Sequence, residues 1–450
     1  LPVDPRRDRG RLGLNEVNIV EPEHTFLVEQ FDGASRPGDG EWIHALRQRA
    51  IEDFARLGFP TQKSESYRYT NVGPIAKAKL SPRQRAGSVD ALPVAPLDTV
   101  GVVAFVDGAW NPGLSNLDGL PDGVRVRSLR EELASDANSL QDRLSVLASP
   151  GRDGFHALNT AFASDGLIVE VPAGLAVEKP LRVVHVTTDA SSGTAGHLRQ
   201  VVQLGKAAEL KIVEEWVSLC EGTYFNSVVR EVFLDDGAHL GWVELIRESE
   251  QGYHIGSLVT QVPRDARLSQ FGLTLSGALV RREAHVELSG ESADAQLSGI
   301  YLPTGQEVHD QLTFVDHAVP RCTSNQLYKG VLDDKSRGVF NGKVLVRPDA
   351  QQTLAYQQNR SLVLSDNATA DTRPQLEIYA DDVKCSHGAT MGQLDDDALF
   401  YLRQRGISQG EAQRLLMQAF VGEVFELLPE SDVRTWIAAE AVKGLPGARP

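Results

Sequence analysis

The chain has 450 residues, of which 41% are apolar and 24% charged. That is enough for two or three domains with a large core, and it excludes a disordered or fibrous chain. The formal charge of −16 disfavours nucleic acid or an anionic membrane surface as a main partner.

Residues 1–40 are polar, and Ser35-Arg36-Pro37-Gly38-Asp39-Gly40 reads as loop. The opening segment 1–10 has no apolar h-region, so no secretory signal is expected. Trp42, Ile43, Leu46, Ala50, Ile51, Phe54 and Leu57 then recur at spacings of three and four, which predicts a helix over 41–57. Gly58 and Pro60 close it. Residues 80–100, rich in Pro, Ala and Ser, read as a linker.

From 165 to 380 the period changes to two. Leu167–Val171, Leu181–Val186 and Val229–Leu234 are short strands bounded by Gly, Asp and Pro. An Ala-x-Leu pattern recurs with its Leu at 210, 240, 268 and 297, in steps of 30, 28 and 29. A near-constant step in all-β sequence signals a solenoid, in which each coil buries its apolar face against the next. A β-sandwich with chance recurrence stays open as the alternative. The acidic pairs Glu214-Glu215, Asp235-Asp236, Asp333-Asp334 and the run Asp395-Asp396-Asp397 are expected mostly in turns or at helix starts.

The last 60 residues read as helical. Leu399, Phe400 and Leu402 lead to Arg405-Gly406, a basic last turn with a glycine stop. Ser408-Gln409-Gly410-Glu411 is a capping box. Ala412, Leu415, Leu416, Ala419, Phe420, Val424, Leu427 and Leu428 form one stripe, suited to the solenoid end or to a partner. No run of 18 apolar residues marks a transmembrane helix. The expected division is a helical region with linker over 1–100, a β-helix core over 101–385 and a helical domain over 386–450.

Three cysteines, Cys220, Cys322 and Cys385, lie far apart. An odd, sparse set implies no disulfide framework and fits a reducing, cytoplasmic location. Cys385 and His387 are separated by one residue, so in an extended segment both point the same way. Thiolate and imidazole are borderline-soft ligands suited to iron or zinc. Two ligands do not hold a metal alone, so a site here must borrow others. A buried free thiol beside a hydrogen-bonded histidine is the bland alternative. His309, His317 and Cys322 are weaker candidates, since spacings of eight and five match no closed zinc knuckle. Gly338–Val344 has the wrong spacing for a phosphate loop, and Val344 stands where Ser or Thr is needed, so no nucleotide is expected on this chain. Neither a Gly-x-Ser-x-Gly elbow nor a dinucleotide fingerprint is present. A solenoid enzyme acting on polysaccharide is the enzymatic alternative.

Several segments together resemble a known family. They are Thr323–Leu332, Ser336–Val344, Ala350–Thr353, Gln357–Ser365, Pro374–Ile378, Asp381–Thr390 and Leu399–Ile407, with looser likeness at Tyr67–Thr70 and Phe155–Asn159. The chain is thereby identified as a member of the SufB/SufD family of iron–sulfur cluster assembly proteins. SufB-type chains carry a Glu-His-Glu-Ala-Thr run where this sequence has Lys384-Cys385-Ser386-His387-Gly388-Ala389-Thr390, which is the SufD-type pattern. The resemblance implies a right-handed parallel β-helix with helical regions at both ends. It implies a non-catalytic scaffold that pairs with SufB, docks the ATPase SufC, or forms a homodimer. It assigns His387, with Cys385 beside it, to a transient iron or iron–sulfur site shared with SufB. It assigns the C-terminal helices, including Leu399, Phe400, Arg405, Gly406 and Phe420, to SufC docking. A SufB-like chain that holds a cluster by itself is the alternative within the family.

Overall fold

Parallel strand pairing decides the architecture. The computed structural model describes residues 21–32 and 40–447; the segment 1–10 and the loop over 35–39 lie outside the described residues. Four short strands lead in: β1 (Ser81–Pro82), β2 (Gly101–Val106), β3 (Ala109–Trp110) and β4 (Arg125–Ser128). The coils then run through β5 (Asp165–Val171), β6 (Leu181–Thr187), β7 (Thr194–Leu204), β8 (Glu209–Ser218), β9 (Tyr224–Leu234), β10 (His239–Arg247), β11 (Gly252–Val262) and β12 (Arg267–Ser276). They continue as β13 (Leu279–Leu288), β14 (Asp294–Tyr301), β15 (Val308–His317), β16 (Thr323–Leu332), β17 (Arg337–Val346), β18 (Thr353–Val363), β19 (Thr369–Ile378) and β20 (Val383–Gly392). From β5 onward odd strands stack in one sheet and even strands in the other. Every coil thus gives one strand to each sheet, which makes a parallel β-solenoid of about eight coils. A sandwich of antiparallel hairpins is excluded, because neighbours within a sheet are parallel and one coil apart.

The corners share a device. Ala207, Gly237, Asp265, Ser292, Arg321 and Gln352 precede successive even strands, each with φ between +54° and +71°. That left-handed step turns the chain sharply from one sheet to the other.

The Ala-x-Leu repeat holds for three coils and then slips. Leu210, Leu240 and Leu268 are register partners. Leu268 next faces Ala295, and Leu297 faces Gln270. Register follows the length of each coil, and a shift of two residues keeps the same face inward.

The lumen is apolar along most of its length, with Leu210, Trp216, Val232, Leu258 and Val286 in one cluster. A ladder of buried charges crosses it. Arg230 Nε donates to Glu214 Oε2 at 2.9 Å, Arg230 also pairs with Glu244, and Arg282 Nε donates to Glu244 Oε2 at 2.6 Å. Glu214 also accepts from Gln200 at 2.6 Å and from Trp242 at 3.1 Å, and lies 2.9 Å from His185. Glu214-Glu215 is therefore no turn, contrary to the reading of acidic pairs. Glu214 faces the lumen, while Glu215 accepts from Arg182 at 2.6 Å on the other face of the strand. Basic partners on adjacent coils neutralise a pair that would otherwise end the strand.

Helices cover both outer faces. α1 (Glu21–Asp32), α2 (Glu41–Leu57), α3 (Gly73–Lys77), α4 (Leu129–Asp136) and α5 (Gly154–Phe162) precede the regular coils. Phe54, Phe155, Leu158 and Phe162 pack on Ala195, Phe225, Ile255 and Leu279 of the odd sheet. The expected α2 is present, with Gly58 as its cap. Helix α1 lies in the polar stretch 1–40, for which the sequence pattern singles out no element; its Leu27 joins the same cluster, so tertiary packing decides where local pattern is weak. Asn159 donates to the carbonyls of Leu198 and Ser227 at 3.0 and 3.2 Å, and Thr70 reaches Asp310 at 2.5 Å. Within the 80–100 linker, β1 pairs with β7.

α6 (Asp396–Gln404), α7 (Gln409–Phe425) and α8 (Asp432–Gly444) follow the solenoid. Ser408 caps α7 by accepting from the Glu411 N–H, as the capping box predicts. Helix α7 packs on β14 and β16 and α8 on β12, so both lie along the outer face of the even sheet. The buried side of α7 is Ala412, Met417, Val421, Val424 and Phe425; Leu415 and Ala419 of the expected stripe are exposed. The outward residues Phe271, Ile300 and Leu327 set that rotation, because they are apolar and need cover.

Burial alone would raise the Glu214 carboxyl, but Arg230 and hydrogen bonds from His185 and Gln200 hold it at about 2. Glu244 is likewise held below its ordinary value, with Arg230 and Arg282 outweighing burial. A depressed carboxylate stabilises the fold fully above its unfolded value near 4.5 and loses that contribution as pH falls towards 2. Circular dichroism against pH is expected to show cooperative loss of the solenoid in that acid window and none between pH 5 and 7. Glu244→Ala leaves two buried guanidinium groups short of a partner, so urea unfolding at pH 7 should show a loss of about 3–5 kcal/mol. Wild-type stability in that variant would contradict the ladder's role.

Candidate metal centre at the open end of the solenoid

β19 and β20 end the two sheets, and among the described residues no strand pairs with their outer edges. Each carries 10 residues. The other end of the solenoid is closed differently, by the short antiparallel pairs β2–β3 and β4–β5.

Register places the chemistry on this rim. The inward column Leu240, Leu268, Ala295, Ser324 and Ala355 ends in Cys385. The next inward column, Trp242, Gln270, Leu297, Gln326 and Gln357, ends in His387. Cys385 is half-buried against Val344, Val346, Ala350, Ala355 and Ala380. His387 is exposed. Strand alternation sends Lys384 and Ser386 to the outer face, so neither shares the site. The two side chains stand roughly 7 Å apart along one strand, by the rise of two residues. A metal–sulfur unit is wide enough to span them.

Burial pushes the Cys385 thiol up, only partly offset by a backbone hydrogen bond from Ala355. The free chain therefore presents a protonated thiol, and ligation must displace a proton.

The weaker candidates are not brought to this rim. His309 and His317 occupy opposite ends of β15. His309 is buried with Nε2 at 3.8 Å from Glu307. His317 Nε2 lies 2.8 Å from Ser324 Oγ, and burial lowers its pKa to about 4. Cys322 is fully buried at a corner, its Sγ 3.3 Å from the Gly290 carbonyl oxygen, and burial pushes its pKa up to about 11. Among the described residues no group of three or more His, Cys, Asp and Glu could hold a metal ion. The segment Gly338–Val344 lies inside β17, where extended backbone forms no phosphate cradle.

A second exposed feature follows the rim along the chain. Helix α6 packs on α7 and has no buried residue; Phe400 and Tyr401 are 62% and 56% exposed. Arg405 caps α6, lies over the Tyr401 ring at 4.9 Å and donates to its hydroxyl at 2.8 Å. Gly406 takes φ +87°, the left-handed stop its position predicts. Leu399 is half-buried. Phe420 instead faces the solenoid: its carbonyl accepts from Lys329 Nζ at 2.6 Å, and the same ammonium sits 4.6 Å from its ring centre. Ile378, Tyr379 and Met391 are exposed on or beside the edge strands. No spacing rule singled out these three or Tyr401, because their exposure depends on where the solenoid stops.

The fold and rim define a class of molecule: a helix-clad parallel solenoid whose open end carries a thiol and an imidazole. Comparison with known proteins places it further. Residues 185–420 match the family model for the SUF system FeS cluster assembly SufBD core domain, and residues 25–183 match that for the SufBD protein N-terminal region. The chain is 32% identical to the iron–sulfur cluster assembly protein SufD of Escherichia coli, over 89% of this chain and 92% of that protein. It is 30% identical to an iron–sulfur cluster assembly SufBD family protein of Synechocystis, over 85% and 87%. It is also 30% identical to the chloroplastic protein ABCI7 of Arabidopsis thaliana, over 96% and 92%. The chain belongs to the SufBD family of FeS cluster assembly proteins and is SufD-like. Among the described residues no helix is long and apolar enough to cross a membrane.

The three thiols should differ in native reactivity. A disulfide reagent at pH 8 is expected to titrate Cys385 quickly and Cys322 only after unfolding, with Cys385→Ser removing the fast phase. A fast phase that survives this substitution would place the accessible thiol elsewhere.

Proposed function

We propose that this chain is a non-catalytic scaffold subunit of the SUF assembly machinery, working in the cytoplasm. It pairs with SufB through the open end of its solenoid. Cys385 and His387 supply half of a coordination sphere for nascent iron or iron–sulfur cargo, and SufB supplies the rest. Helix α6 forms the docking surface for the ATPase SufC.

The observation that carries this reading is the register that ends two adjacent inward columns in Cys385 and His387, on an edge strand with nothing paired outside it. Edge strands of this length invite another strand, and strand addition would bring a partner's side chains over the same lumen. The chemistry suits the cargo. Iron–sulfur clusters take thiolate ligands, and imidazole replaces some of them in certain centres. Leu376, Ile378 and Met391 give the rim apolar neighbours, which exclude water once a partner covers them. Loading then removes the Cys385 proton, so capture strengthens as pH rises. The aromatic pair on α6 supports docking of a separate protein, since exposed neighbouring aromatics are the usual anchors of an interface.

Separate losses are expected from separate substitutions. In co-purification from cells, His387→Ala should retain SufB and SufC but lose most bound iron. Phe400→Asp with Tyr401→Asp should retain SufB and lose SufC. Iron retained at wild-type level by His387→Ala would refute the ligand role, and SufC retained by the α6 double variant would refute the docking surface.

A further inference from the structure

One buried group directly beneath the rim remains without a role. Gln326, Gln357 and His387 are register partners on β16, β18 and β20, successive members of one inward column. Gln357 is wholly buried. Its Nε2 donates to Gln326 Oε1 at 3.1 Å, and that oxygen also accepts from Thr313 Oγ1 at 2.6 Å. The orientation of the carboxamide follows. Gln326 Oε1 serves two donors, and Gln357 turns its NH2 towards it. Its own Oε1 is left out of that contact, and the next strand in the register is β20. That oxygen is sealed from solvent and has no hydrogen-bond partner among the described residues.

The fold makes room for this carboxamide. A Cβ built on Gly342, across the lumen on β17, would come within 2.4 Å of Gln357 Nε2. Glycine at that position keeps the space clear. An unpaired buried acceptor costs about 1–3 kcal/mol, so one held in a fixed orientation calls for a donor. By register, the polar side chain stacked over it is His387, with its backbone about 4.8 Å away.

We infer that Gln357 is a positioning residue for His387: its carboxamide oxygen takes the imidazole N–H, which leaves the lone pair of the other ring nitrogen for an incoming metal ion. A neutral imidazole carries one N–H and one lone pair, and the hydrogen bond at one nitrogen decides which atom can ligate. Metal-binding histidines usually have such an oxygen acceptor behind them, and losing it typically costs ten- to hundredfold in metal affinity. The inference rests on the reading of His387 as a ligand. It adds that the ligand is set before any partner arrives.

The test is the tautomer of His387 in the full-length chain without metal, read by nitrogen NMR of labelled imidazoles and assigned with His387→Ala. One tautomer should dominate in the wild type. Gln357→Met, of similar volume, should bring the two to comparable populations, and Gln357→Glu, which keeps an acceptor oxygen, should restore the wild-type preference. A mixed ratio in the wild type overturns the inference without any variant, and so does an unchanged ratio in Gln357→Met. Bound iron in the co-purified complex separates the two claims. Iron unaffected by His387→Ala removes the ligand reading itself. Iron lost in His387→Ala, with an unchanged tautomer in Gln357→Met, removes only the positioning role.

Discussion

Every coil of a parallel solenoid satisfies its backbone through the next coil, and the last coil cannot. This constraint shapes the rest of the molecule. Along the stack, β5 to β18 find partners on both sides, and most of these strands are buried on both faces by the lumen and by helices. The first end is closed by short antiparallel strands. The other end stops with two full-length edges. The helices that follow do not cover that end; they run back along the even sheet. An edge left open over this length is a hazard unless it has a use.

The buried charges in the lumen serve the same stacking. Glu214, Arg230, Glu244 and Arg282 come from four strands in both sheets, and each acid meets a base across the lumen. Such ladders contribute little net stability over an apolar core of equal volume, because desolvation offsets attraction. They do penalise slippage: a one-residue shift would turn a carboxylate outward and strand a guanidinium inside. Correct register matters most at the far end, where it decides that Cys385 and His387 face the lumen.

Much of this was legible in the sequence, for identifiable reasons. Period-two patterning and the Ala-x-Leu step reveal the solenoid because each coil repeats the same packing problem. The Cys385–His387 pair is legible because both residues lie on one strand, where alternation alone places them together. Leu297 slipped by two because coil length is set in the corners, whose left-handed residues are as varied as Ala207, Asp265 and Arg321. Glu214-Glu215 misled because an acidic pair in a strand depends on Arg182 and Arg230, which sit on other coils. The inward side of α7 depended on Phe271 and Leu327 beneath it. Gln357 carried no sign of a tie to His387, since it is remote in sequence and shares a column with it only through register.

The central claim is that the open edge is half of a shared site. Hydrogen exchange on the amides of Thr369–Ile378 and Val383–Gly392 tests it most directly, comparing the free chain with its complex with SufB. In a parallel edge strand about half of the amides point outward without a partner. The account predicts that those outward amides exchange fast in the free chain and become strongly protected in the complex. Unchanged exchange on both strands, with protection appearing elsewhere, would mean that the partner binds another surface, and the shared site would not exist.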